Sequence, residues 1–96
     1  MIKLFADGRL VKDASTFPYG DNKIATKFTL ACNRNNNDEE PVYLNCTIWG
    51  RNVADYLLQG NQIVIHGDLS ERIDDEGRHW MQCNVSEFSF GAKKMR

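Results

Sequence analysis

The chain has 96 residues, of which 42% are hydrophobic and 26% charged. This length and composition predict one globular domain with a modest core and exclude a largely disordered chain. No apolar run approaches the ~18 residues of a membrane-spanning helix, and the residues after Met1 do not resemble a secretory signal. The net charge of −1 gives no indication of a polyanionic partner.

Residues 1–10 alternate between apolar and polar side chains, which predicts a first strand with Phe5 on its outer face. The next segment, residues 13–23 (DASTFPYGDNK), is rich in turn-forming residues. It predicts a loop in which Phe17 and Tyr19 lie near the surface and pack within the loop itself.

Residues 24–34 predict the second strand. Its inward set is Ile24, Thr26, Phe28, Leu30 and Cys32, and its outward set includes Ala25 and Lys27. The polar residues 33–41 (NRNNNDEEP) then predict a solvated connection of hairpin length, so the second and third strands are expected to pair antiparallel.

Residues 41–50 (PVYLNCTIWG) alternate strictly and predict the third strand. Val42, Leu44, Cys46 and Ile48 form one set, and Tyr43, Asn45, Thr47 and Trp49 form the other. Two large aromatic rings on an outward face suit the stacking of nucleobases, because every base has a π-face. The alternative is that both rings pack beneath a loop or against another subunit.

The apolar period changes after Gly50. Val53, Tyr56 and Leu57 recur at helical spacing, and Gly60 is suited to a helix C-terminus. These residues predict one short helix of about ten residues, too short to be stable without tertiary contacts.

Residues 61–69 and 79–90 alternate again and predict the fourth and fifth strands. The segment between them, residues 70–78, contains an Asp-Glu-Gly hairpin-turn signal. The last strand changes phase along its length, so we expect a β-bulge near Ser86.

Five strands with one short helix between the third and fourth predict an all-β fold, a five-stranded OB-fold barrel. Gly8 and Gly67 are expected where the closing sheet must bend. The predicted domain spans residues 1–91, and residues 92–96 form a short basic tail.

Four segments carry a resemblance to a known family. They are GRL at 8–10 followed by Asp13, KFTLACNR at 27–34, IWGR at 48–51 and YLLQGNQIVIHGDL at 56–69. In this order and spacing the chain resembles the single-stranded DNA-binding proteins of bacteria and their phages, from about residue 2 to residue 90. The resemblance implies an OB-fold that coats and protects single strands, without sequence preference, during replication, recombination or repair.

The resemblance also implies which residues touch the strand. Tyr43 and Trp49 match the two aromatic positions of the family's third strand, and Arg51 matches the basic residue after its glycine. Asn45 stands where the family has a basic residue, and Trp80 matches an aromatic at the start of the last strand. The family forms homo-oligomers, usually tetramers, with dimers along the first strand, which implies an interface role for Phe5.

Further cations are expected near these rings. Six of the 13 acids lie in two clusters, at 38–40 and 74–76, and the 12 Lys and Arg side chains outnumber the acids elsewhere. A basic groove is therefore compatible with the near-neutral total. The candidate phosphate contacts are Lys27 and Arg34 beside the aromatics, and Arg72 and Arg78 flanking the acidic hairpin.

Catalytic and metal-binding chemistry has little support in the sequence. Cys32, Cys46 and Cys83 are far apart and lack a CxxC pair, so we expect free thiols in a protein of a reducing cytoplasm. His66 and His79 have no cysteine, serine or acid at a recognisable catalytic spacing. We therefore expect no enzymatic activity, no cofactor and no metal.

One departure from the family concerns its partners. Cellular members end in an acidic tail that recruits replication and repair enzymes, whereas residues 92–96 (AKKMR) are basic. This predicts a compact phage-type protein of the host cytoplasm, a dimer or tetramer that binds single-stranded DNA or RNA without such recruitment and without a membrane. The alternative is an OB-fold protein–protein adaptor or helicase-loading accessory with weak or no binding of single strands.

Overall fold

Six strands and one 3-10 turn make up the described part of the chain. The computed structural model describes residues 1–32 and 41–90. The strands are β1 (Ile2–Leu10), β2 (Ser15–Tyr19), β3 (Lys23–Cys32), β4 (Val42–Ile48), β5 (Gln62–Ile73) and β6 (His79–Phe90), and the turn is Ala54–Tyr56. Within those two ranges no helix is long and apolar enough to cross a membrane.

The sheet closes on itself through a second pairing of β1. The strands hydrogen-bond in the order β1-β5-β6-β4-β3-β2, and β1 also pairs with β3 at Arg9↔Ala31 and Leu10↔Leu30. Five strands thereby form a barrel, and β2 extends from β3 outside it. The predicted all-β OB-fold barrel is confirmed, with β2 as an addition.

The interior is filled by alternate side chains of the barrel strands. In β4, Leu44, Cys46 and Ile48 are buried while Tyr43 on the opposite face is exposed, as the alternation predicts. Each fully buried Leu or Ile stabilises the fold by roughly 1.5–3 kcal/mol. The largest fully buried side chains are Leu30, Leu57, Ile63, Ile65, Thr26, Cys46 and Cys83.

Two glycines permit the close strand approaches at which the barrel bends. A Cβ at Gly8 would lie 2.6 Å from the carbonyl oxygen of Ala31 on β3. A Cβ at Gly67 would collide with the backbone carbonyl of Asn84 on β6. Any side chain at either position would force the neighbouring strands apart, which explains the glycines there. The sheet is irregular at Gly67, whereas the bend at Gly8 stays a prediction.

The expected bulge in β6 is also present. His66 pairs with Glu87 and Gly67 pairs with Val85, so Ser86 is the extra residue between them. The Ser86 hydroxyl donates a hydrogen bond to the carbonyl oxygen of His66 at 3.0 Å. This insertion changes which face the following residues occupy.

The predicted loop at residues 13–23 contains a strand. Ser15–Tyr19 pairs antiparallel with β3, from Ser15↔Lys27 to Tyr19↔Lys23. Proline lacks an N–H and favours loops, but an edge strand tolerates it, and Pro18 occupies such an edge.

The predicted ten-residue helix is reduced to the single turn Ala54–Tyr56, at the expected place between β4 and β5. Several of its neighbours in the chain bond to other elements. The Val53 N–H donates to Thr26 Oγ1 at 3.1 Å, and the Gly60 N–H donates to the carbonyl of Leu10 at 2.9 Å. These tertiary bonds replace the helical i→i−4 pattern.

The inward and outward assignments at the start of β3 were wrong for two residues. Ile24 is 41% exposed and Ala25 is fully buried. The pairing of β3 with β4 begins only at Thr26↔Ile48, so Ile24 lies beyond the end of its neighbour. Ala25 is in register with Phe17 of β2, a strand that the sequence did not predict.

Candidate nucleic-acid interface

The outer face of β4 presents its two aromatic residues to solvent. Tyr43 is 58% exposed and Trp49, just after the strand, is 47% exposed. Asn45 lies between them and is half-buried, accepting a hydrogen bond from the Thr29 hydroxyl on its Oδ1 at 3.1 Å. Tyr43 and Trp49 therefore share the outer face of the barrel, as predicted.

Trp49 lies in a cluster of three aromatic rings. Its ring centre is 4.9 Å from that of Tyr19 and 5.7 Å from that of Phe17, both in edge-to-face geometry. Its indole N–H donates to Asn84 Oδ1 on β6 at 2.9 Å. The Lys27 ammonium is 5.6 Å from the centre of the Phe17 ring. Side chains of β2 and β6 thus contact the half-exposed indole, and Lys27 of β3 contacts one ring of the same cluster.

A second aromatic position lies at the other end of this face. The parallel pairing of β4 with β6 places Asn45 opposite Gln82. Tyr43 and Trp80 each precede this pair by two residues, so both rings point to the same face at the same end. Trp80 is 43% exposed.

The candidate cations are distributed unevenly around these rings. Lys27 lies within the Trp49 cluster, whereas the Arg51 guanidinium lies 5.6 Å from the ring centre of Phe88, beside a cleft that Phe5 and His66 also line. Arg72 is in register with Trp80 and exposed. The Arg34 prediction lies outside the described residues.

Arg78 is paired within its own hairpin. Its guanidinium bonds Asp74 at 3.0 Å and Glu76 at 2.8 Å. The pKa of the Asp74 carboxyl is lowered by hydrogen bonds, first from the Trp80 indole and then from the Arg78 backbone N–H. The acids of this hairpin therefore neutralise the charge of Arg78, as expected from the sequence.

A sequence model of the single-strand binding protein family matches residues 1–89. The chain belongs to this family. It is 30% identical over 98 residues to the single-stranded DNA-binding protein of Clostridium perfringens, covering 94% of the chain and 65% of the relative. It is 37% identical over 84 residues to the corresponding protein of Staphylococcus epidermidis, covering 79% of the chain and 63% of the relative. The chain thus spans somewhat less than two-thirds of the length of these relatives.

Members of the single-strand binding protein family bind DNA and are not enzymes, which agrees with the non-enzymatic prediction. In the described ranges, no cluster of three or more His, Cys, Asp or Glu side chains could hold a metal ion. The ring of His66 lies 6.3 Å from that of Phe5, and the His79 side chain is outside the described part.

The three cysteines are free thiols, as predicted. Burial raises the pKa of Cys32, Cys46 and Cys83, and nearby acidic groups or thiols raise it further. The raised pKa values favour the protonated thiols, which are poor nucleophiles.

The sequence did not predict that Phe17 and Tyr19 pack against Trp49. They alternate with Thr16 and Pro18, so both rings fall on one side of a strand. That alternation was the available signal, but the surrounding turn formers obscured it. Their contacts with Trp49 could not be predicted, because they depend on how β2 pairs with β3.

Proposed function

We propose that this chain is a sequence-nonspecific single-stranded DNA-binding protein that coats and protects single strands during replication, recombination or repair. One observation carries the proposal. The side chains of Tyr43, Trp49 and Trp80 are 58%, 47% and 43% exposed on one outer face of β4 and β6. Large rings left half-exposed on one face are suited to stacking with unpaired bases.

Stacking supplies the first part of the binding energy. Each base that stacks on an aromatic side chain contributes ~1–3 kcal/mol as measured by alanine substitution. Tyr43 and Trp49 are six residues apart, roughly 20 Å along an extended strand. A single strand lying along β4 can therefore contact both rings and, between them, the Asn45 amide.

Neutralisation of phosphates supplies the second part. Lys27 is an exposed cation beside Phe17, Arg72 is exposed and in register with Trp80, and Arg51 is exposed beside Phe88. Arg34 is a further candidate from the sequence. Cations that neutralise phosphates release counterions, so affinity falls as salt rises. The relatives named above as single-stranded DNA-binding proteins support the same assignment.

The proposed assembly is a homo-oligomer, a dimer or tetramer, joined along β1. Phe5, on the outer face of this strand, is 76% exposed. Exposed apolar side chains on a paired strand are typical of a surface covered by another subunit. Light scattering after size-exclusion chromatography should give a multiple of 11.0 kDa, and an F5E variant should shift the mass toward one chain. A parent of one-chain mass would contradict this assembly.

The proposed compartment is the cytoplasm. Its support is the set of unpaired Cys32, Cys46 and Cys83, which suits a reducing environment.

Titration with oligo-dT tests the proposed function. At low salt, oligo-dT should quench the fluorescence of Trp49 and Trp80, and added salt should reverse the quenching. A duplex of equal length should quench less, because its bases are already stacked. Absence of quenching by oligo-dT would contradict the proposal and favour the adaptor alternative. Oligo-U at the same salt concentration measures any preference for DNA over RNA.

A further inference from the structure

The turn between β5 and β6 is organised around the carboxylate of Asp74. Its Oδ1 accepts hydrogen bonds from the backbone N–H groups of Glu76 and Arg78, both at 2.9 Å. Its Oδ2 accepts from Arg78 Nε and Trp80 Nε1, both at 3.0 Å. A carboxylate has about four acceptor sites, so these bonds use its full capacity.

The bond from Trp80 fixes the orientation of a ring on the aromatic face. Trp80 keeps 43% of its surface exposed although its N–H is bound. A side chain already held in one orientation loses less conformational freedom when a ligand binds. The ring is therefore prepared for stacking before any strand arrives.

Arg78 forms its ion pairs with carboxylates of the same hairpin. Its guanidinium bonds Asp74 and Glu76 and lies 5.8 Å from the ring centre of Trp80. The two carboxylates occupy Nε and Nη2 of Arg78 and compete with a phosphate for the guanidinium charge. Arg72, in register with Trp80, has no ion pair among residues 1–32 and 41–90 and faces no such competition.

We propose that Asp74 is a positioning residue of the nucleic-acid face. It holds the ring of Trp80 through the indole N–H and neutralises Arg78, so the hairpin offers a stacking surface without a phosphate contact from Arg78. This inference rests on the proposed function, because Trp80 needs positioning only if bases stack on it. The proposal assigns different roles to Arg72 and Arg78, which the sequence alone predicted as equivalent phosphate contacts.

The first experiment examines the free protein. A Trp49→Phe background leaves Trp80 as the only tryptophan of the two in the chain. Into this background we introduce Asp74→Asn, whose NH2 group cannot accept a hydrogen bond, or Asp75→Asn, the neighbouring acid, as the matched control. Acrylamide should quench Trp80 more strongly in D74N than in the background, and D75N should leave the quenching unchanged. Equal quenching in D74N and D75N would overturn the proposal.

The second experiment compares the two arginines in the otherwise unaltered chain. For a single strand, the slope of log K against log salt falls by about 0.7 for each phosphate contact removed. With oligo-dT, Arg72→Gln should reduce the slope by about 0.7, while Arg78→Gln should leave it unchanged. A reduction of about 0.7 in R78Q would identify Arg78 as a phosphate contact and overturn its assignment.

The two experiments separate this proposal from the proposed function. If the parent chain binds no oligo-dT, the proposed function fails. The quenching comparison needs no nucleic acid, so it still decides whether Asp74 holds Trp80.

Discussion

Asn84 is the side chain that connects Trp49 to the barrel. Its Oδ1, on β6, accepts the indole N–H of Trp49, which directly follows β4, at 2.9 Å. The ring thus has a fixed edge bound to β6 and an exposed part left for a ligand.

An Asn84→Ala variant should weaken oligo-dT binding by about 0.5–1.5 kcal/mol, the net value of one hydrogen bond. The reason is that Trp49 must then be ordered when the strand binds. Gln82→Ala removes an outward amide from the same strand and is the matched control. Fluorescence titration at fixed salt measures both variants, and equal affinities for N84A and Q82A would contradict the role of Asn84.

Thr26 is the one buried polar residue among the described side chains, and it fixes the chain after β4. Its hydroxyl donates to the carbonyl of Arg51 at 2.8 Å and accepts the N–H of Val53 at 3.1 Å. Valine has nearly the same shape but offers neither bond.

Thr26→Val should lower the free energy of unfolding by about 1–3 kcal/mol, because it leaves the buried Val53 N–H without an acceptor and removes the bond to the Arg51 carbonyl. Thr16, its exposed register partner on β2, provides the control substitution Thr16→Val. Urea unfolding measures the difference. If T26V and T16V have the same midpoint, the structural role of the Thr26 hydroxyl is refuted.

At the scale of elements, closure of the barrel depends on neighbouring strands approaching closely at Gly8 and Gly67. Gly67→Ala should destabilise the fold by about 1–3 kcal/mol or more, since the new methyl group meets the Asn84 carbonyl. Gly60 has a positive φ of 86° but open space around it, so Gly60→Ala should cost only the backbone strain of about 1–2 kcal/mol. Thermal unfolding compares the two, and a smaller loss for G67A than for G60A would contradict the closure argument.

The β5–β6 hairpin should respond to acid in a defined direction. The pKa of Asp74 is lowered by the bonds from Trp80, Arg78 and Glu76, so its ionised form stabilises the folded chain. That contribution is complete above the ordinary value of 3.8 and is lost as the pH falls through the lowered folded value. The stability difference between the parent and D74N should therefore be constant near neutral pH and shrink only in strong acid. Urea unfolding across this pH range, with D75N as the control, measures the difference. A stability difference between the parent and D74N that grew toward low pH would contradict the role of the Asp74 carboxylate.

Sequence periodicity predicted the barrel strands because each buries one face and exposes the other. The burial of Leu44, Cys46 and Ile48 was predicted from the alternation alone. The same reasoning failed at residues 51–60, where bonds to Thr26 and Leu10 replace helical ones. Such bonds join residues far apart in the chain, and no local pattern records them.

The candidate site divides in the same way. Tyr43 and Trp49 were predicted from one strand, because a single alternation fixes their shared face. The partners of Trp49 come from β2 and β6, so the aromatic cluster depended on strand pairing. The different roles proposed for Arg72 and Arg78 could not be predicted from the sequence. They follow from the ion pairs of Arg78 within the hairpin, which only the structure shows.

At the scale of the whole molecule, a closed barrel exposes aromatic rings on one outer face, and we propose that unpaired bases stack on them. Residues 1–89 match the single-strand binding protein family, and the rings of β4 and β6 share the outer face. The net charge is only −1, and each ring that stacks with a base is expected to contribute ~1–3 kcal/mol to binding.

The most direct measurement is the affinity of a Tyr43→Ala, Trp49→Ala double variant for oligo-dT, followed by anisotropy of a labelled strand. Two lost stacking contacts of ~1–3 kcal/mol each should weaken binding by about thirtyfold or more. Tyr56→Ala removes a 65% exposed ring from the 3-10 turn and should leave binding unchanged. A folded double variant that binds oligo-dT as tightly as the parent would contradict the account.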